Sequence, residues 1–366
     1  KTGVKDILNK GILINQMLSK VPVGLIKLKT KKNNRSAGIL MHISSLPSAY
    51  GIGDIGTESE RFIDFLANSG QKFWQILPVN PTKAGNGHSP YSSNSAMAGN
   101  VLLISPDVLL SDGLLNETDL EAAKLELTDQ IDYDRVESNK YHLLKVAYQN
   151  FRQSTNPSLK SSFEVFCEEE KSWLHNFALY IAIKANHHQL EWYNWPDLFR
   201  TSDKKTLDAF SNQFADEIEE IKWQQFIFFK QWHRIKDYAN QHGIQIVGDL
   251  PFYLDLDSVE VWSQPSLFKL DIDLKPLKVA GVPPDYFNEN GQLWGMPIFN
   301  WDAMRDEKYV WWINRLKKNM ELFDLLRLDH FRAFSSFWAV DAGAETAIHG
   351  KWIDGPGEEF FDIIKH

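Results

Sequence analysis

The sequence predicts an α/β protein in which parallel strands alternate with helices. A strand, a helix and a second strand follow one another between residues 37 and 79, which is the order of a βαβ unit. Two later apolar stretches, GIQIVGDLPFYL (243–254) and LLRLDHF (325–331), each follow a helical pattern. Charged residues stand where these strands end, and parallel α/β folds hold their ligands at that end of the strands.

The first elements can be justified in chain order. AGILMHISSLP (37–47) predicts a short strand that runs into a loop ended by proline, and QKFWQILPV (71–79) predicts the second strand. TESERFIDFLANSG (57–70) has apolar residues at helical spacing and a glycine at its end. The loop over 80–100 is rich in Gly, Ser, Asn and Pro, and a loop of this length indicates function.

The later part of the chain has a helical pattern first, and then loop, helix and strand patterns follow one another. Residues from about 110 to 240 have helical apolar spacing and predict a helical insertion. A Gly/Pro-rich stretch over 278–297 predicts a loop, and the apolar stripe over 303–322 predicts a helix that leads into LLRLDHF. The thirteen tryptophans either fill the core or line a groove for a flat ligand.

Charge and cysteine content exclude several classes of function. The net charge is −9, but residues 1–35 carry nine Lys/Arg against one acid, which leaves −17 on residues 36–366. We expect 1–35 to be a flexible basic extension, and the acidic remainder disfavours nucleic-acid binding. No apolar run reaches the length of a membrane span. Cys167 is the single cysteine, so there is no internal disulfide and no cysteine-based zinc site.

The strand end at LLRLDHF carries the candidate chemistry. Arg327 and Asp329 share one face of the strand, so the guanidinium favours the ionised carboxylate and lowers its pKa. They form either a buried structural pair or part of a site, and the neighbouring His330 favours the site. Asp249 ends the preceding strand, and Asp285 stands beside two aromatic residues. Carboxylates beside aromatic rings are typical of carbohydrate-active enzymes.

Seven stretches identify a family more specifically. In order they are GILMHISSLPSAYGIGDIG, FWQILPVNPT, SPYSSNSAMAGN, VGDLPFYL, VAGVPPDYFNENGQLWGMP, LLRLDHFRAF and ETAIHGKWIDGPGEEFF. Residues 36–366 resemble the amylomaltases, or 4-α-glucanotransferases, also called disproportionating enzymes. The resemblance implies an amylase-type (β/α)8 TIM barrel with helical insertions. It also implies a retaining transfer of α-1,4-glucan segments between maltooligosaccharides, starch or glycogen chains.

The resemblance also implies roles for individual residues. Asp329 resembles the catalytic nucleophile, and Arg327 resembles the catalytic residue that keeps it ionised. The positions that resemble substrate-binding residues are Tyr91, Ser89, Asp249, Asp285, Tyr286, Phe287, Trp294 and His330. The stretch from Pro283 to Phe287 resembles a lid on the acceptor side. We expect no cofactor and no metal, because the family's chemistry uses carboxylates.

One departure from the family concerns the second carboxyl group. In the family the acid/base Glu and a further Asp follow the nucleophile on later strands, beyond position 366. We therefore expect only the first part of the barrel in this chain, and no activity from it unless it is complemented. The alternatives are a non-catalytic glucan-binding fragment and an amylase-type hydrolase. The lone cysteine favours a reducing compartment, the cytoplasm, with a plastid as the alternative.

Overall fold

The computed structural model describes residues 35–126 and 128–365. The predicted basic extension therefore lies, except for Arg35, outside the described residues. From Ala37 onward the chain forms one compact unit. Within the described ranges, no helix is both long and apolar enough to cross a lipid bilayer.

Four parallel strands form the first sheet, as the sequence predicts. Their order across the sheet is β1-β2-β3-β6. The bounds are β1 Gly38–Leu40, β2 Phe73–Gln75, β3 Gln245–Leu250 and β6 Leu325–Leu328. The register between the last two strands pairs Asp249 directly with Arg327. All four strands point the same way, so their carboxyl ends meet at one edge of the sheet.

Thirteen α-helices occur within 35–126 and 128–365. Their bounds are α1 Thr57–Asn68, α2 Pro106–Ser111, α3 Glu117–Ala122, α4 Tyr133–Gln153, α5 Pro157–Glu169, α6 Leu174–Asn186, α7 Asp197–Arg200, α8 Lys204–Gln213, α9 Ala215–Gln241, α10 Val259–Ser263, α11 Trp301–Asp306, α12 Val310–Leu322 and α13 Gly357–Ile364. Several begin at side-chain caps: Asp132 accepts from the Arg135 amide before α4, and Asn156 with Pro157 starts α5. Helices thus fill much of the predicted insertion.

A second sheet corrects one of the sequence predictions. Residues 278–297, predicted as a loop, form two strands of an antiparallel sheet with the order β5-β4-β7-β8. The bounds are β4 Lys278–Val282, β5 Gln292–Pro297, β7 Ser336–Asp341 and β8 Lys351–Asp354. β4 and β5 are short and contain Gly281 and Gly295, and β5 ends at Pro297, so their strand signal is weak until distant partners pair with them.

The helix predicted over 303–322 is also interrupted. It is two helices, α11 and α12, and the chain between them turns through Lys308 and Tyr309 at φ of 54° and 55°. The Tyr309 side chain is fully buried. The left-handed backbone of these two residues ends the helical path in spite of a continuous apolar stripe, and the buried ring lies at the break.

Two large clusters of buried side chains make up the core. One lies between the parallel sheet and helices that include α1, α4 and α9, and the other joins α6, α12 and the antiparallel sheet. Nine of the thirteen tryptophans are buried, so packing is their main use. Gly248 shows how tightly β3 packs: a Cβ there would lie 2.1 Å from the Phe323 ring. The close packing of Phe323 against Gly248 fixes the position of the end of β3, where Asp249 enters the candidate site.

Candidate active site

The ends of β3 and β6 bring three charged side chains together. Arg327 Nη1 donates to both carboxylate oxygens of Asp249, at 2.6 and 2.8 Å. Arg327 Nη2 donates to Oδ1 of Asp329 at 2.7 Å. The second contact is the one expected from alternation along the strand, and the first arises from the register between strands. One guanidinium therefore bridges two carboxylates, and the hydrogen bond to Asp249 is the main cause of a raised pKa for Arg327.

Asp249 is the buried one of the two carboxylates that Arg327 bridges. Its side chain is 2 % exposed, and its Oδ2 also accepts a hydrogen bond of 2.7 Å from the Tyr91 hydroxyl. Burial first, and then this hydrogen bond, raise the pKa of Tyr91, which stays a neutral donor. Both oxygens of Asp249 thus accept hydrogen bonds from Arg327 or Tyr91, and its predicted contact with the substrate stays a prediction.

Asp329 is the accessible carboxylate. Its side chain is 34 % exposed, and its backbone amide donates to the Leu250 carbonyl at 3.0 Å, which continues the pairing of the two strands by one residue. Oδ1 is held by Arg327, whereas Oδ2 makes no hydrogen bond to any described residue. A carboxylate fixed through one oxygen and open at the other is suited to nucleophilic attack.

His330 follows in a strained conformation. Its φ of 45° lies in the left-handed region, which is uncommon for a residue with a side chain. Its ring contacts the Trp294 ring edge to face, with 4.9 Å between centroids. Burial lowers the pKa of His330, so the ring is neutral at neutral pH. Its Nε2 is buried and has no partner among the described residues, which leaves a polar atom for a ligand.

These groups line an open cleft of about 510 Å³. Its walls combine the reactive carboxylate with aromatic and apolar side chains: Tyr91, Ser92, Pro251, Phe252, Tyr253, Leu293, Trp294, Met296, Asp329 and His330. A larger cavity of about 920 Å³ lies between α5, α9 and α12 and contains none of the predicted site residues. We assign the site to the smaller cleft because Asp329, the accessible one of the two bridged carboxylates, lines it together with His330.

Six predicted site residues are not among the side chains that line this cleft: Arg327, Ser89, Asp249, Asp285, Tyr286 and Phe287. Arg327 and Asp249 contact the cleft residues Asp329 and Tyr91. Ser89 supports the turn below Tyr91, because its Oγ accepts from the Tyr91 amide at 3.3 Å. Asp285 accepts from the Phe287 amide at 2.9 Å and shapes its own loop. Tyr286 and Phe287 are 96 % and 92 % exposed. Their glucan contacts stay predictions.

The cleft also contains residues that the sequence reasoning missed. Pro251, Phe252 and Tyr253 form one wall, and their place directly after Asp249 in VGDLPFYL is the signal that could have found them. Tyr253 is buried, and its hydroxyl has no partner among the described residues. No group of three or more His, Cys, Asp or Glu in the described ranges could hold a metal ion.

Comparison with known proteins decides the family. The family model described as 4-alpha-glucanotransferase, glycoside hydrolase family 77, matches residues 41–366. The chain belongs to this 4-alpha-glucanotransferase family. The Aquifex aeolicus 4-alpha-glucanotransferase is 47% identical over 327 residues, which cover 89% of this chain and 65% of the relative. The 4-alpha-glucanotransferase of Streptococcus pneumoniae is 42% identical over 333 residues, or 90% of this chain and 65% of the relative.

Solved structures support the same assignment. The amylomaltase from Streptococcus agalactiae in complex with acarbose superimposes with a TM-score of 0.86 at 40% identity, over 91% of this chain and 66% of that one. The Corynebacterium glutamicum amylomaltase, at 18% identity and a TM-score of 0.73, covers 90% of this chain and 45% of its own and shares the fold. The predicted fold class is therefore confirmed. The chain spans about 65% of the length of the curated relatives named here.

Proposed function

We propose that the chain is the nucleophile-bearing part of a retaining 4-α-glucanotransferase. The observation that carries the proposal is the contrast between two carboxylates on one arginine: Asp249 is buried and saturated, whereas Asp329 is accessible with Oδ2 open. Asp329 attacks the anomeric carbon of an α-1,4-glucan, the glycosidic bond to the leaving glucan breaks, and the leaving oxygen takes a proton from the second carboxyl group that a retaining mechanism requires, which leaves a covalent glycosyl ester on Asp329. The hydroxyl of an acceptor glucan then attacks the same carbon, returns its proton to that carboxyl group and releases the carboxylate of Asp329.

The remaining charges of the site fit an electron-poor sugar carbon. Arg327 carries one positive charge against the two carboxylates, and His330 is neutral because burial lowers its pKa. The cluster is thus left with a net charge of −1. A negative cleft stabilises the positive charge that develops on the sugar ring in an oxocarbenium-like transition state.

The cleft walls fit an α-1,4-glucan as the ligand. Trp294 and Tyr253 provide ring surface next to the reacting carboxylate, and aromatic rings pack against the apolar faces of sugars. His330 Nε2 and the Tyr253 hydroxyl are buried without a described partner, so a sugar hydroxyl can satisfy each of them. We infer that acarbose, which is bound in the S. agalactiae amylomaltase, also binds this cleft.

The reaction type has a direct test with maltotriose. Transfer between glucans conserves the number of reducing ends, whereas hydrolysis creates one new reducing end per cleavage. In the chain complemented with a segment that supplies the second carboxyl group, we expect longer and shorter oligosaccharides to form at a constant number of reducing ends, and D329N to abolish the redistribution. A rise in reducing ends that parallels product formation would replace the transferase by a hydrolase. Acarbose binding without any turnover would favour a glucan-binding role.

We also infer that the protein works in a reducing compartment, either the cytoplasm or a plastid. The single cysteine supports this location. The related enzyme of Solanum tuberosum, 40% identical, is named chloroplastic/amyloplastic.

A further inference from the structure

The loop over residues 80–100 is fastened to the segment that follows β3. Polar contacts join them: Lys83 Nζ to Asp255 Oδ1 at 2.9 Å, Asn86 Nδ2 to Asp255 Oδ2 at 2.5 Å, and Ser95 Oγ and the Ala96 amide to Glu260 Oε1 at 3.0 and 2.7 Å. The Tyr91 hydroxyl adds a contact to β3 itself, 2.7 Å from Asp249 Oδ2. The same two stretches provide Tyr91 on one side of the cleft and Pro251 to Tyr253 on the other. The width of the cleft here depends on how firmly the two stretches are joined.

Asp257 anchors this junction inside the protein. Its side chain is 5 % exposed and accepts hydrogen bonds of 2.6 Å from the Tyr180 hydroxyl and from Lys184 Nζ. Lys83 Nζ lies 3.5 Å from the same carboxylate and 2.9 Å from that of Asp255. Two lysines therefore face two carboxylates, and Lys83 is the member that comes from the 80–100 loop.

Lys83 contributes to the charge balance of the junction. Burial disfavours the ionised form of Asp257, but the charge of Lys83, together with Lys184 and Tyr180, outweighs burial and lowers the pKa of Asp257. Without Lys83, Asp255 would lose its cation, and Asp257 would keep one. Around Lys83 the Asn86 contact with Asp255 would then remain, and Tyr91 and Ser95 would still be held farther along the loop.

We infer that Lys83 is a positioning residue for glucan binding: it holds the 80–100 loop so that Tyr91 stays on Asp249 beside the nucleophile. Its ammonium group belongs to the ion-pair cluster below the cleft and is absent from the cleft lining. The effect on glucan binding rests on the proposed function. The effect on the loop itself does not depend on that function.

The loop can be tested by amide hydrogen exchange on the full chain. In K83M we expect the amides of residues 84–92 to exchange about fivefold faster than in the wild type, because the loop opens locally once its ion pair is lost. K83R should restore slow exchange. K230M is the matched control, since Lys230 forms a 2.6 Å ion pair with Asp112 outside the cleft. Unchanged exchange in K83M would overturn the inference.

A double-mutant cycle with acarbose tests the action through Tyr91. We expect K83M to weaken acarbose binding about fivefold when Tyr91 is present and less than about twofold in a Y91F background, because contacts that act through one another are not additive. Equal weakening of acarbose binding by K83M with Tyr91 and in the Y91F background would show that Lys83 has a purely structural role. If the wild-type chain binds no acarbose, the proposed function fails, and the exchange experiment still decides whether Lys83 holds the loop.

Discussion

Replacing Arg327 by methionine tests the electrostatic design of the site. The substitution keeps a long apolar side chain on β6 but removes all three hydrogen bonds to Asp249 and Asp329. Asp249, with a side chain that is 2 % exposed, then keeps its charge with the Tyr91 hydroxyl as its remaining side-chain partner. Asp329 is 34 % exposed, so water can solvate it once the arginine is gone.

The expected loss in the free energy of unfolding comes mainly from Asp249. Removing one partner of a fully buried ion pair costs about 3–5 kcal/mol, because a charge is left without compensation. Arg327 is 46 % exposed, so solvent already screens part of the interaction. We therefore expect R327M to lower the free energy of unfolding by about 2–3 kcal/mol.

The assay is urea unfolding followed by tryptophan fluorescence, and the chain offers a matched control. Arg305 also bridges two carboxylates, those of Glu359 and Asp302, at 2.9 and 3.2 Å, and its side chain is 43 % exposed. Both of its partners are exposed, however. We expect R305M to cost at most about 1 kcal/mol, since exposed ion pairs contribute little.

A second substitution identifies the source of the cost. In R327M/D249N the buried group is neutral, so we expect the double variant to recover at least about 1 kcal/mol relative to R327M. Equal losses in R327M and R305M, or no recovery on adding D249N, would refute the conclusion that a buried uncompensated carboxylate dominates the energetics of this site.

Three further predictions address binding, pH dependence and packing. Y91F should weaken acarbose binding, measured by fluorescence titration, about tenfold, because the ring loses the charge-assisted hydrogen bond to Asp249 that holds it at the cleft; unchanged affinity would exclude a role for the hydroxyl. Burial lowers the pKa of His42 from 6.5 to about 4, so protons bind the unfolded chain more readily, and the unfolding free energy should fall by up to about 3 kcal/mol from pH 6.5 to 4. Urea unfolding of H42Q over this pH range should show a smaller fall in the free energy of unfolding than the wild type shows, and an equal fall would contradict the prediction. G248A should lower the unfolding free energy by about 3 kcal/mol, because its methyl group would overlap the Phe323 ring, whereas G85A, with open space around it, should not; similar urea midpoints for the two variants would refute the packing argument.

The sequence was sufficient for the parallel half of the fold and for the reactive pair. Strand and helix patterns along the chain are local signals, and the four parallel strands follow them. Arg327 and Asp329 are two residues apart on one strand, so their contact could be predicted from alternation alone.

The features that the sequence did not reveal depend on contacts between distant residues. The pairing of Asp249 with Arg327 requires the register of two strands that are 78 residues apart. Two strands of the antiparallel sheet, β4 and β5, lie in a Gly- and Pro-rich stretch that becomes strand only beside its partners. The Lys83 ion pairs join residues more than 170 positions apart, and nothing in their local sequence indicates them.

The most direct test of the central claim is to trap the glycosyl ester. A 5-fluoro-α-maltosyl fluoride suits this chain, because fluoride leaves as an anion and the first step needs no protonated acid. We expect mass spectrometry to find one maltosyl adduct on a peptide that contains residues 325–334, and none in D329N. An adduct on another residue, or an equal adduct in D329N, would contradict the assignment of Asp329 as the nucleophile.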